Sequence, residues 1–310
     1  MAVRSRSHRL HATSIAMLAV VAVAGSAAAQ TPAGGGASAQ PPGKLTDNLS
    51  FFMGLDGSKQ PQDLGINANM GARFGLNWGF PISRGDNLGG QAGIAVNLSD
   101  AAVHVLDQVE GTSNRMQIFA TGGVFQRTPT KITWAAGFDF QYSDYYDTFW
   151  LGQVRGQIGA ALSERHEMGA WMTLGVTGAD VQLGATNLRL DPIAQINGYS
   201  SHVWPTNART VIWAGLAAGH DNIVLTVSEE PRSDWVFVYG AALQMPLSDR
   251  FAVAGAANFL TPTATGTVDA FLGVVFFPGG GLVKGGGGMF RPVMPVGNNP
   301  MMPVNMKFPG

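Results

Sequence analysis

The sequence predicts an all-β protein, an antiparallel β-barrel of about 12 strands (10–12) of the outer-membrane type. Three observations predict it: strict two-residue alternation over unusually long stretches, a regular alternation of short and long connections, and an export signal with no spanning helix after it. Residues 67–80, NANMGARFGLNWGF, set the pattern. Ala68, Met70, Ala72, Phe74, Leu76, Trp78 and Phe80 fall on one face of an extended chain, and Asn67, Asn69, Gly71, Arg73, Gly75, Asn77 and Gly79 on the other. Ordinary strands average about 5–6 residues, whereas a tilted membrane-crossing strand needs about 9–11.

At the N-terminus, Arg4, Arg6 and Arg9 precede the apolar run SIAMLAVVAVAGS and then AAA before Gln30, the order of a secretory signal peptide over residues 1–29. The run is too short for a spanning helix, and no later stretch offers roughly 18 consecutive apolar residues, so membrane residence would have to be by strands. Losing three arginines and no acids takes the net charge from −1 to −4, which argues against nucleic acid as a partner. The chain has no cysteine, so packing or a bilayer must hold it instead of disulfides. Charged residues are 13% of the chain against about 25% in an average soluble protein, and glycine is about twice its usual share. That balance suits sheets with one face in lipid and the other in a crowded lumen. Residues 30–47 read as a flexible Gly/Pro/Ala-rich leader.

The barrel domain is expected over 48–277. Strict alternation recurs at 88–99, 132–143 and 150–162, and looser strands are predicted at 48–55, 115–127, 167–177, 193–204, 209–219, 234–246, 250–260 and 267–277. The weakest is 193–204, IAQINGYSSHVW, polar on both faces. Between strands, ISRGDN, TPTK, SERH, PTNA and PLSD are short, while 56–66, 100–114, 178–192 and 220–233 are long. Tight turns on one rim and longer loops on the other are the asymmetry of an outer-membrane barrel, and an even strand number puts both ends of the domain on the periplasmic side. On this assignment Trp78, Phe80, Trp134, Trp204, Phe251 and Phe276 lie near the inner rim, and Phe140, Tyr142, Trp150, Trp235 and Phe259 near the outer one, as interfacial girdles. A soluble core filled by the same aromatics is the competing reading. Residues 278–310 read as a second Gly/Pro-rich tail, expected to be loosely attached like the leader.

The stretches GLDGSKQPQDLGINANMG, FQYSDYYDTFWLGQVRGQIG, GTVDAFLGVVFFPGGG and PVGNNP resemble an uncharacterised family of exported bacterial proteins, a domain of unknown function described as porin-like. The resemblance covers almost the whole mature chain and implies a β-rich envelope protein with no assigned activity and no catalytic residues to carry over. One departure stands out. Outer-membrane barrels commonly end on an aromatic residue of the last strand, whereas here some thirty residues follow Phe276 and Phe277.

Chemistry-bearing motifs are sparse. The glycine runs around Lys284 lack the order and the helix of a phosphate loop. The RGD at 84–86 has the composition of a tight turn. His104, His166, His202 and His220 lie on different segments, which suits solvated histidines better than metal ligands. Asp139, Asp144 and Asp147 could form a weak Ca²⁺ site or simply be solvated. Ser200 and His202 share a face, as a barrel lipase would require, but in the wrong order and without a partnering Asn or Asp. What remains is a polar face of candidate lumen-lining residues: Asn69, Arg73, Asn77, Gln91, Asn97, Gln117, Arg127, Asp139, Gln141, Gln153, Arg155, Gln157 and Asp269. It mixes signs, where a charge-selective pore would show one. The lumen therefore either passes small solutes poorly or is plugged by its own side chains.

The function expected from these residues is passive: a small-solute channel or structural barrel of the outer membrane, with no cofactor, metal or catalysis. Its partners would be outer-membrane lipid and the barrel-assembly machinery. A soluble secreted or periplasmic binding domain is the alternative, and a barrel hydrolase a more distant one.

Overall fold

The computed structural model describes residues 44–59, 68–101, 114–218, 235–261, 267–283 and 288–307. The expected signal peptide, the leader up to residue 43, His104, His220 and Lys284 lie outside the described residues. Among the described residues, fifteen strands follow one another in chain order. They are β1 (Leu49–Lys59), β2 (Asn69–Ser83), β3 (Leu88–Ala101), β4 (Asn114–Arg127), β5 (Ile132–Asp144), β6 (Thr148–Ala161), β7 (His166–Thr177) and β8 (Ala179–Leu183). Then come β9 (Thr186–Pro192), β10 (Gln195–Val203), β11 (Arg209–Ala218), β12 (Trp235–Pro246), β13 (Phe251–Thr261), β14 (Thr267–Phe276) and β15 (Val304–Lys307).

Twelve of them close into an antiparallel barrel in which β1 pairs with both β2 and β14, and β7 pairs directly with β10. Closure leaves no unpaired edge, the condition for a sheet to sit in hydrocarbon. Period two does the sorting. Along β2, Met70, Ala72 and Phe74 point outward and are exposed, while Asn69, Arg73, Asn77 and Gly79 are buried inside. The same parity leaves Leu55, Ile94, Phe138, Val154, Met172, Ile196, Ile212, Phe237, Leu272 and other large apolar residues exposed on the outside. This is an inside-out protein, apolar toward its surroundings and polar toward its axis.

The aromatic residues pack against one another at both ends of this apolar surface. Near the short-turn rim, Phe276 stacks between Phe51 and Phe251, at 6.4 and 4.9 Å between ring centroids, and Trp78 meets Phe80 at 4.9 Å. Toward the opposite rim, Trp150 meets Phe140 and Tyr142 at 4.8 and 4.5 Å, and Tyr239 stacks on Phe259 at 5.2 Å. All of them except Trp204, which follows β10, sit on strands or at strand ends at the positions the alternation assigns.

Two expectations need correcting. The connection 178–192, expected as a plain long loop, folds into the hairpin β8–β9, turned at Gly184 with φ 57°, a left-handed conformation that glycine adopts without a β-carbon clash. The tail, expected to be loose from 278 onward, is packed over residues 288–307: Met294, Val296, Met302, Val304 and Met306 are as buried as any core residue. Its last strand, β15, adds to β9, giving a second sheet in the order β15–β9–β8. That sheet covers a core of Tyr145, Phe149, Leu151, Val181, Leu188, Leu190, Met302, Val304 and Met306 at the long-loop end of the barrel.

Candidate functional site

The segment 288–307 enters the barrel at the short-turn rim and runs along the inner wall formed by β2 to β6. Its sequence, GMFRPVMPVGNNPMMPVNMK, places prolines at 292, 295, 300 and 303. Proline has no N–H, so such a chain cannot pair as an ordinary strand, and its carbonyls need donors from elsewhere. The inward side chains of the wall supply them. Arg127 donates to the carbonyls of Met289 and Arg291 at 2.6 and 2.8 Å. Deeper in, Asn77 and Gln91 both donate to the Met294 carbonyl at 2.9 Å, and the Gln91 side-chain oxygen accepts from the Val293 and Met294 amides at 3.1 Å. Arg155 donates to the Pro295 carbonyl at 2.7 Å and Arg73 to that of Gly297 at 3.0 Å. Gln117 and Asn299 exchange a reciprocal pair of side-chain bonds at 3.0 and 3.1 Å. Gln153 and Gln195 both donate to the Met301 carbonyl, at 2.9 and 3.2 Å.

One buried ion pair braces this ladder. Arg155 meets Asp139 at 3.0 Å, with their side chains 3% and 0% exposed. Desolvating both charges is costly, and it is offset only where further hydrogen bonds complete the pair. Asp139 has two, from Thr121 at 2.7 Å and Gln153 at 2.9 Å, and Thr121 in turn accepts from the Gly297 amide at 2.7 Å. Steric room for the segment comes from the wall itself. A β-carbon at Gly79 would collide with the Phe290 carbonyl, and one at Gly93 with the Val296 side chain.

The wall and its occupant together make up one continuous unit of sequence. A family model described as a family of unknown function (DUF6666) matches residues 48–304, the barrel and the lumen segment alike. The chain belongs to this family. No curated protein matches it in sequence. Among solved structures it is similar to the NanC porin, at 10% identity and a TM-score of 0.49 over 74% of this chain and 98% of that one. It is also similar to the KdgM porin, at 7% and 0.41 over 74% and 98%, and to the Salmonella typhi outer membrane phospholipase, at 8% and 0.43 over 73% and 90%. Likeness at this level is one of barrel architecture and brings no substrate with it.

In this DUF6666 barrel every residue singled out from the alternation points inward, but they do not all serve the segment. Arg73, Asn77, Gln91, Gln117, Arg127, Asp139, Gln153 and Arg155 hold or brace it. Asn97 instead donates to Asp56 at 3.1 Å, and Gln157 to the Tyr199 hydroxyl at 3.4 Å. Asn69 and Gln141 have no side-chain hydrogen-bond partner among the described residues, and Asp269 is buried against the β13–β14 wall. Thr121, Gln195 and Asn258 join this wall without standing out in the sequence, although the parity that marks Gln117 as inward marks Thr121 too; Asn258 donates to the Pro300 carbonyl at 3.4 Å.

The acidic trio separates. Asp139 is spent on Arg155, while Asp147, in the β5–β6 connection, accepts from the Gln182 amide at 2.8 Å. Among the described residues no group of three or more His, Cys, Asp or Glu is placed to hold a metal ion. On the outer wall, the β7–β10 pairing sets His166 opposite His202 and brings its Nε2 to 3.4 Å from the Ser200 hydroxyl. The other nitrogen of His166 faces His202 at 3.5 Å rather than a carboxylate, so nothing orients it as the base of a hydrolytic triad.

Proposed function

We propose that this protein is a passive outer-membrane barrel, an envelope element that its own C-terminal segment keeps shut as a solute channel. The observation that carries the reading is the use to which the lumen is put: arginines and amides that would line a pore are engaged with the backbone of residues 289–301. Membrane residence is supported by the closed sheet, by the exposed apolar face and by the aromatic stacks that border it. A soluble binding domain would expose that face to water over most of its circumference. In this reading the chain binds no cofactor and performs no catalysis.

Planar bilayers and fractionation test it. The full chain should insert from detergent and remain electrically silent. A chain ending at Pro278 should give discrete conductance steps, biased toward anions by Arg73, Arg127 and Arg155, whose charges count for more in a narrow lumen than in water. Open-porin conductance from the full chain would refute the shut barrel, and recovery of the mature protein from the periplasm without detergent would refute the membrane location.

A further inference from the structure

Where residues 304–307 emerge follows from the topology. An even number of strands returns β14 to the rim from which β1 starts, the rim of the short turns. The chain stays on that rim through residue 283: the Phe277 amide donates to the Arg250 carbonyl at 2.8 Å, the Leu282 amide to that of Asp249 at 3.2 Å, and Asn207 to that of Val283 at 3.2 Å. Arg250, Asp249 and Asn207 all lie in short turns between strands. By residue 304 the chain has reached the other end. There β15 pairs with β9, the Ile193 amide donates to the Pro303 carbonyl at 2.8 Å, and Lys307 meets Asp191 at 3.1 Å. The hairpin β8–β9 connects β7 to β10 on the long-loop rim.

The span is physically sufficient. The segment turns at 288–291, where the Arg291 amide donates to the Gly288 carbonyl, and again in a short 3-10 helix at Asn299–Met301. From 291 to 304, extended residues rise about 3.1 Å each and the 3-10 turn about 2 Å each, roughly 35 Å in all, against an apolar band about 25 Å tall on outer-membrane barrels. Most of the lumen's bonds to this chain go to main-chain carbonyls, and its side chains are held by the Gln117–Asn299 pair, by Arg155 donating to the Met301 sulfur at 2.6 Å, and by burial of Met294 against Phe125 and of Val296 against Phe119.

We infer that the barrel carries residues 288–307 once across the outer membrane and presents residues 304–307 on the cell's exterior, docked on the β8–β9 hairpin. The lumen is then a conduit that holds one polypeptide strand, and the fold brings residue 307 to the cell surface. This inference rests on the membrane reading above.

Site-directed labelling tests it cleanly because the chain has no native cysteine. Three variants of the full chain, Gly85→Cys in a short turn, Ala185→Cys in the β8–β9 turn and Lys307→Cys at the end of β15, are treated on intact cells with a membrane-impermeant maleimide. All three positions are on the surface of the fold or at its edge. Positions 185 and 307 should label on intact cells, and 85 only after permeabilisation. Labelling of 185 but not 307 on intact cells would overturn the threading while leaving the membrane barrel standing. Labelling of 85 in place of 185 would overturn the outward orientation, and equal labelling of all three in a detergent-free periplasmic extract would overturn the membrane reading itself. Should Lys307→Cys weaken the docking, an epitope placed after Gly310 and probed by antibody on intact cells separates the same outcomes: binding supports the threading, and its absence until permeabilisation overturns it.

Discussion

Gln91 is the side chain on which the hold of the lumen segment can be weighed. It is 2% exposed and makes three bonds to the segment, one to the Met294 carbonyl and two from the amides of Val293 and Met294. Gln91→Ala leaves the carbonyl with its bond from Asn77 but strands both amides in a buried position. A buried polar group deprived of its partner costs about 1–3 kcal/mol, so the two together should weaken the docked state by about 2–6 kcal/mol, roughly a 30- to 20,000-fold rise in the undocked population. Met294→Cys supplies the reporter. Its side chain is 1% exposed in the docked state and lies beside Gly123 and Gly137, so a thiol there reacts only when the segment leaves. The assay is the rate of thiol modification in detergent micelles, compared between Met294→Cys and the double variant with Gln91→Ala, with strand content by circular dichroism as the control on the barrel. Asn77→Ala removes one of two donors to the same carbonyl and should raise the rate far less. A rate unchanged by Gln91→Ala, or raised more by Asn77→Ala, would refute the hydrogen-bond account of the plug.

Other outcomes follow from the same geometry. Arg155→Gln breaks a fully buried ion pair and should lower unfolding stability by about 3–5 kcal/mol, whereas Arg189→Gln, which loses the partly exposed pairs with Asp180 and Asp191, should cost at most about 2 kcal/mol in the same guanidinium titration. Phe74→Arg places a charge on the outward face of β2 far from either end and should cost about 2–4 kcal/mol in lipid vesicles; Met70→Arg, near the outer end of that strand, should cost only about 0–1 kcal/mol. Equal costs would mean that the apolar face does not sit in a bilayer. Gly79→Val puts a side chain where the Phe290 carbonyl runs, so it should expel the start of the segment and give a conductance that the parent chain lacks in planar bilayers.

Particular residues show how far local pattern reaches. The alternation in 67–80 settles that Arg73 and Asn77 turn inward and Phe74 outward, because side chains on an extended backbone have no other option once one face is apolar. The parity of short and long connections likewise settles the strand order, even for β10, whose polar residues on both faces make it hard to read: its neighbours on either side leave it one place to pair. Such information is carried by residues close in the chain. The fate of residues 288–307 is carried by residues far from them. Gln91 meets Met294 across 203 positions and Arg73 meets Gly297 across 224, and these bonds exist only after the barrel has closed around the segment. Read alone, a run of Gly, Pro and Met has no periodicity and no donors to spare, which is the composition of a loose tail. Its order comes from a wall that supplies donors for carbonyls the segment cannot satisfy itself, and only the closed tertiary structure brings the two into register.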